Sequence, residues 1–283
     1  MSTDPKPTAL LIEIAEIAFI EAQIEAACQL FPGDGFSAKR VGSGVAAVTK
    51  ASFGRKLNHV AGFGMNGPVT EADLETIEQL YKAIGVAPEI NLCPFAHPTA
   101  VKTLTARGYK ICAQMSVYTL SLRDLGVGDG EKCRPAATSN PGITIDRVGE
   151  DEYGNFIKYS ILGFESTGQP VELLKTLAEM AVRRPDTYLY FARIDGRIAG
   201  CAGMALIRTP VGNVAELFID STVPEFRGQG VQRVLLKQRL VAAERSGMEV
   251  ATATTWPGGT SARNLEREGF RLAFTKDVHT KGN

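Results

Sequence analysis

Two carboxylates on one strand and an arginine-glycine turn just after it are the groups of this chain best suited to bind an anion and move a proton. The turn is Arg227-Gly228-Gln229-Gly230-Val231-Gln232. A strand-like segment, 213–223, enters it through Pro224-Glu225-Phe226; a helical pattern with Val231, Val234, Leu235, Gln238, Val241 and Ala242 on one face leaves it. The first N–H groups of a helix lack intrahelical acceptors and lie at the positive end of its dipole, so such a turn is a seat for an anion. Gly228 and Gly230 place no side chain between those amides and a phosphate, and Arg227, with Arg233 and Lys237 along the helix, adds positive charge. A diphosphate is the natural guest. On the strand, Glu216 and Asp220 occupy even positions, opposite the apolar set Ala215, Leu217, Ile219 and Val223 with Ser221. The expectation is that both carboxylates look into a cleft, about 13 Å apart at 3.3 Å per residue. A solvated or salt-bridged strand residue is the competing reading of each, and a bulge would swap the faces beyond it.

Two familiar phosphate loops fail on spacing. A dinucleotide turn needs a third glycine where Arg233 stands, and no Gly-Lys-Ser/Thr occurs for a Walker loop. What remains resembles the pyrophosphate turn of the GNAT superfamily of acyl-CoA N-acyltransferases, Arg/Gln-x-x-Gly-x-Gly/Ala. Arg227, Gly230, the hydrophobic helix and the Val-Pro-Glu-Phe lead-in match, and Gln232 departs from Gly/Ala. The flanks carry the resemblance further. Runs 188–194 and 197–207 read as a hairpin joined by Asp195-Gly196, 248–255 as a strand, 261–268 as a short helix, and 271–279 as a last strand after Gly269-Phe270. That order is the one expected of the superfamily over residues 142–280.

The resemblance implies transfer of an acetyl group from acetyl-CoA to the primary amine of a small molecule by direct attack. The amine must lose a proton to attack, which asks for a base, and because the superfamily often places a glutamate base on this strand the resemblance makes Glu216 the first choice of general base and Asp220 the second. It further implies that Arg227, Gly228, Gln229, Gly230, Val231, Gln232 and Arg233 hold CoA, with backbone groups of Thr222 and Val223 on the pantetheine arm and the thioester carbonyl. Asn264 is a further expected partner of that arm. The family often protonates the leaving thiolate with a tyrosine four residues before the Gly-Phe pair; here that position is Leu265, and no tyrosine follows Tyr190. Water or a hydroxyl such as Ser261 would replace it. The alternative is a non-catalytic acyl-CoA-binding or regulatory module.

The chain of 283 residues exceeds a usual single domain, and its 44% hydrophobic and 22% charged content is ordinary for a globular protein with sizeable cores. The stretch LGVGDGEKCRPAATSNPG lacks any hydrophobic period and reads as a linker. On both sides of it a strand, a proline, a helix, a Gly-aromatic pair and a strand recur, with proline ahead of the pair by 14 residues at Pro94 and by 12 at Pro257. The expected fold is therefore α/β (α+β): two tandem GNAT-like domains, each a mixed, mostly antiparallel sheet flanked by helices, at 1–125 and 143–283 with 126–142 between them. In the first half a strand at 57–63 leads to Gly64-Met65-Asn66-Gly67-Pro68 without an arginine, and the next helix opens with Glu71, Asp73 and Glu75, which repel phosphate. That half reads as a scaffold.

Net charge is zero, with 31 basic and 31 acidic residues, so no nucleic-acid or anionic-membrane footprint is expected. Arg183, Arg184 and Arg239 read as solvated helix residues. Five cysteines without a Cys-x-x-Cys pair and three scattered histidines give no zinc site and no disulfide framework. Cys93 and Cys201 read as buried small hydrophobes, a nucleophilic Cys with His being the minor alternative. The segment 8–30 reads as an amphipathic helix, with Leu10, Ile14, Ile17 and Ile24 opposed to Glu13, Glu16, Glu21 and Glu25. Its start lacks a signal peptide's positive flank, and with reduced-looking cysteines the cytoplasm is the expected compartment. A monomer or homodimer is the expected state, since a tandem pair could pack internally where single-domain relatives dimerise.

Overall fold

The computed structural model describes residues 5–123 and 142–282, so nearly all of the expected linker lies outside the described residues. The amino-terminal half runs α1 (Lys6–Leu30), β1 (Ser37–Val41), β2 (Gly44–Val48), α2 (Gly54–Leu57), β3 (Val60–Ala61), α3 (Glu71–Ala83), β4 (Glu89–Leu92), α4 (Pro98–Ala106) and β5 (Lys110–Ser121). The carboxy-terminal half runs β6 (Ile143–Arg147), α5 (Tyr153–Phe164), α6 (Val171–Arg183), β7 (Thr187–Ile194), β8 (Arg197–Thr209), β9 (Gly212–Thr222), α7 (Val231–Arg245), β10 (Val250–Thr255), α8 (Thr260–Arg267) and β11 (Arg271–Thr280). Apart from the short α2, β1 to β5 and β7 to β11 repeat one order: two hairpin strands, a strand, a helix, a strand, a helix, a strand. In each copy the third and fourth strands pair in parallel, Val60 opposite Ile90 and Val214–Glu216 opposite Val250–Thr252. The tandem α/β reading holds. The expected strand at 57–63 is shorter, because Leu57 ends α2 and only Val60–Ala61 enters the ladder.

Two compact units divide the chain, and neither is one consecutive stretch. The first takes the chain through Tyr118, then Thr254–Leu265, then the chain from Arg271; the second takes Thr119–Ala253 and Glu266–Phe270. In the first unit the strands lie in the order β1-β2-β3-β4-β11-β5. The last strand, β11, is antiparallel to β4, with Asp277 opposite Leu92 and His279 opposite Ile90. The final strand of the second repeat thus pairs with a strand of the first. Helix α1 covers this sheet, and here the sequence expectation needs correction. Glu13 is fully buried, not solvated. Its carboxylate accepts the Gly62 N–H at 3.1 Å and meets the equally buried Lys276 ammonium at 2.5 Å, while Glu16 takes the same ammonium from the next turn. Burial pushes the Glu13 carboxyl up to about 7 against the pull of Lys276. Burial acts to lower the Lys276 pKa, yet Glu13 and Glu16 together hold it above its ordinary range.

The second unit orders its strands β10-β9-β8-β7-β6, antiparallel except for β10 with β9. Asp195 and Gly196 turn the β7–β8 hairpin with φ of 49° and 76°, the two left-handed residues that a type I′ turn requires. Helix α7 covers one face through Val231 and Leu235, packed on Tyr190, Ala199, Ala202 and Val223. Helices α5 and α6 cover the other through Phe156, Ala178 and Ala181, packed on Leu189, Phe191 and Cys201. Arg183 is exposed as expected, but Arg184 and Arg239 are buried. Arg184 is held as a fork by Asp186, at 2.9 and 2.7 Å, and Arg239 reaches carbonyls of its own helix and of β8. Cys93 and Cys201 are buried, and burial pushes both thiols up to about 12, which leaves no thiolate for nucleophilic chemistry.

Helix α5 approaches β9 closely at Gly163, where a Cβ would stand 2.4 Å from the Ser221 Cβ. Gly163→Ala is expected to cost about 1–3 kcal/mol by overpacking. Urea unfolding measures this, and adding Ser221→Gly should restore most of the loss; a neutral Gly163→Ala would contradict the close approach.

Candidate functional site

Strand β9 and the head of α7 build the site, both within the second unit. After β9 a single turn, Pro224–Phe226, brings the chain round, with the Phe226 N–H on the Val223 carbonyl at 2.9 Å and the Arg227 N–H on the Pro224 carbonyl at 3.3 Å. Gly228 and Gly230 then adopt φ of 78° and 87°. These are left-handed conformations that side chains resist, and they aim the following amides along the helix axis. Gly230 occupies the N-cap position of α7 with no side chain to cap it, and the first intrahelical bond runs from the Val234 N–H to the Gly230 carbonyl at 3.2 Å. Helix α3 in the first half is the reverse case. Thr70 and Asp73 close its N-terminus as a reciprocal capping box, so its own side chains occupy the anion position. The preceding loop is also turned inward, for the His97 N–H donates to the Gly64 carbonyl at 2.7 Å and Glu13 holds the Gly62 N–H.

The basic residues at the turn are partly committed. Arg227 Nη2 donates to the Gly163 carbonyl at 3.1 Å, which ties the turn to the end of α5. Arg233 Nε lies 2.6 Å from Glu268, which also faces Lys237 at 3.6 Å. Sequence distance hid both contacts. Gly228 and Gln229 are exposed, Gln232 is half-buried, and Val231 is buried in the α7 core so that only its backbone can face a ligand.

The ladder between β9 and β10 ends at Glu216 opposite Thr252, whereas β9 continues to Thr222. Beyond Glu216 one edge of β9 has therefore parted from its parallel neighbour. The alternation of antiparallel pairing fixes which groups face that edge. The Val223 N–H donates to the Ala199 carbonyl at 2.9 Å, which makes 199/223 a hydrogen-bonded pair. The next pair, Gly200 with Thr222, must then be non-bonded, and the Thr222 N–H and C=O point away from β8 to the open edge. Val223, expected to share this role, has its N–H spent on β8, so that expectation is corrected.

Glu216 and Asp220 do not share a face. Between the pairs Cys201–Ser221 and Gly203–Phe218, β8 has one residue and β9 has two, Ile219 and Asp220, a bulge that reverses the alternation. Phe218, on the same face as Glu216, packs against the α5–α6 cluster. Asp220 points the other way and is ion-paired to Arg239 of α7. The salt-bridged reading of Asp220 is the right one, and it is withdrawn as a base. Glu216 is half-buried on the α5–α6 side, beside Ala205 across the ladder. Ser261 is exposed and Asn264 half-buried on α8, in the stretch Thr254–Leu265 that belongs to the first unit; the turn and β9 belong to the second. Leu265 is buried. Among the described residues no group of His, Cys, Asp and Glu is placed to hold a metal ion, and no helix is long and apolar enough to cross a membrane.

An uncapped glycine turn at a helix head thus follows a strand that has parted from its parallel neighbour. Residues 158–270, within the carboxy-terminal half, match the model of the Acetyltransferase (GNAT) family. Solved structures share the fold over nearly the whole chain. A GCN5-related N-acetyltransferase from Kribbella flavida has a TM-score of 0.62 at 20% identity, covering 93% of this chain and 96% of its own. A tandem GNAT protein from the clavulanic acid biosynthesis pathway has a TM-score of 0.57 at 12% identity, covering 98% and 95%. A GCN5-related N-acetyltransferase from Sphaerobacter thermophilus has a TM-score of 0.54 at 14% identity, covering 94% and 91%. No protein of curated function matches this sequence.

Proposed function

We propose that the protein is an acetyl-CoA-dependent N-acetyltransferase that moves an acetyl group to the primary amine of a small molecule by direct attack. The observation that carries this reading is the conjunction of the left-handed glycine turn with the free edge of β9, since one cofactor presents a diphosphate and a thioester at a distance from each other. Acetyl-CoA supplies the acyl group as an activated thioester. The amides at the head of α7, from Val231 to Arg233, receive the diphosphate, and the Thr222 N–H donates to the thioester carbonyl oxygen where negative charge develops. Glu216 takes the proton that the ammonium form of the acceptor must lose. A thiolate whose conjugate acid has a pKa of about 8.5 is a tolerable leaving group, and water suffices to protonate it.

Leu265 supports the second reading, a module that binds acyl-CoA without transfer. It is buried where the family often has a proton-donating tyrosine. Thiol release from acetyl-CoA over a broad panel of amines separates the two readings. Turnover with an amine and an acetylated product supports the enzyme, and binding of CoA with no turnover over the whole panel supports the module. The amino-terminal domain, with its capped α3 and closed loop, is assigned the scaffold role.

A further inference from the structure

We propose that Arg239 and Asp220 are positioning residues for acyl transfer. They form a latch that keeps one extra residue in β9 and so selects Thr222 as the residue whose backbone faces the open edge, an inference that rests on the acetyltransferase reading above. The extra residue is costly to keep. Ile219, at the bulge, has φ of 49°, a left-handed conformation in which a β-branched side chain persists only when its surroundings impose it. Ile219 packs against the α5–α6 cluster, and one guanidinium holds the strand around it. Arg239 is 1% exposed. It binds both carboxylate oxygens of Asp220, one of them at 3.2 Å, and the carbonyl of Gly203 at 3.0 Å, while its Nε returns to Leu235 at 3.3 Å. Asp220 is the second residue of the bulge and Gly203 is the β8 residue at which regular pairing resumes. The guanidinium thus fastens the bulged strand to its partner at the place where the count of residues differs.

The consequence for chemistry follows from strand geometry. Backbone N–H groups alternate between the two edges of a strand, so one residue more or less exchanges every group beyond it. Without the extra residue, Ala199 would lie opposite Thr222 and draw the Thr222 N–H into β8, leaving Ser221 and Val223 facing the open edge. Glu216, upstream of the bulge, would be unmoved. The latch therefore sets the relation between the base and the thioester donor. It also ties that relation to α7, because Arg239 stands two turns below the glycine head that receives the diphosphate.

The test is Asp220→Asn, which keeps the shape and loses the charge, with Arg239→Lys as a second variant that keeps the charge but cannot span Asp220 and Gly203 together. Each is expected to lower kcat by about 10- to 100-fold, the scale of a misplaced reacting group, with the Kd for CoA changed by no more than about twofold and the pH profile unshifted. Adding Ile219→Gly to Asp220→Asn should recover most of kcat, because glycine adopts the bulge conformation freely. A merely structural role would lower stability without that split and without rescue by glycine. The crystal structure of the Asp220→Asn variant should show Ile219 at an ordinary strand φ and Thr222 opposite Ala199. A bulge preserved in that variant, or a variant with wild-type kcat, would overturn the latch. If wild type itself shows no turnover, the acetyltransferase reading fails, and the register of the variant still decides the latch.

Discussion

Glu216→Gln is expected to lower kcat by about 10²- to 10⁴-fold, the usual contribution of a positioned general base, while leaving the affinity for CoA within a factor of about two. The glutamine keeps the size and the hydrogen-bonding reach of the side chain and loses only its ability to take a proton. Glu216 lies on the α5–α6 side of the sheet, whereas α7, whose head is the proposed seat of the diphosphate, covers the other. The loss should therefore fall on kcat at neutral pH and shrink as pH rises and more of the acceptor amine is already free base. Steady-state kinetics between pH 7 and 9.5, with calorimetric titration of CoA, measures both. A variant with undiminished kcat would move the base elsewhere, and one that loses CoA affinity in the same proportion would mean that Glu216 shapes the cofactor site.

Lys276→Met is expected to destabilise the first unit by about 3–5 kcal/mol, the cost of leaving a buried charge without its partner. Glu13 and Lys276 are both fully buried, and among the described residues the further donor to Glu13 is the Gly62 amide. The loss should depend on pH in a definite direction. The Glu13 carboxyl lies at about 7 in the folded protein against an ordinary 4.5, so the folded state holds a proton that the unfolded chain gives up. Its contribution to stability is complete below about 4.5 and is lost as pH rises to about 7. Without Lys276 the carboxyl is pushed higher still, and protonation relieves the unpaired charge. Urea unfolding followed by circular dichroism should accordingly show a smaller loss for Lys276→Met at pH 5.5 than at pH 8. Equal losses at the two pH values would contradict the buried pair.

The parts of the molecule legible in the sequence are those set by neighbours along the chain. Asp195-Gly196 announces its hairpin because two successive left-handed residues are needed there, and the order of strands and helices follows from period and glycine punctuation. The turn at Arg227 to Gln232 is legible for the same reason. What escaped the sequence depends on residues far apart. The final strand β11 is written as the close of the second repeat and pairs with β4 of the first, a choice between two equivalent strands that no local pattern records. Arg184, Arg239 and Glu13 look like solvated charges on helices, and each is buried because a distant or newly turned segment supplies its partner. The bulge at Ile219 and Asp220 is silent in an alternating sequence, yet it separates the two carboxylates that the alternation placed together.

Whether the turn at the head of α7 seats the diphosphate is decided by calorimetric titration of acetyl-CoA into the wild type and into an Arg227→Glu, Gly230→Asp double variant. Both substitutions set a carboxylate against the diphosphate, and Gly230→Asp also forces a side chain onto φ of 87° at the head of α7. Binding by the wild type, reduced by at least about 100-fold in a variant that unfolds at a comparable urea concentration, is the predicted result. A folded wild type that does not bind acetyl-CoA, or a variant that binds it as well as the wild type, would contradict the account.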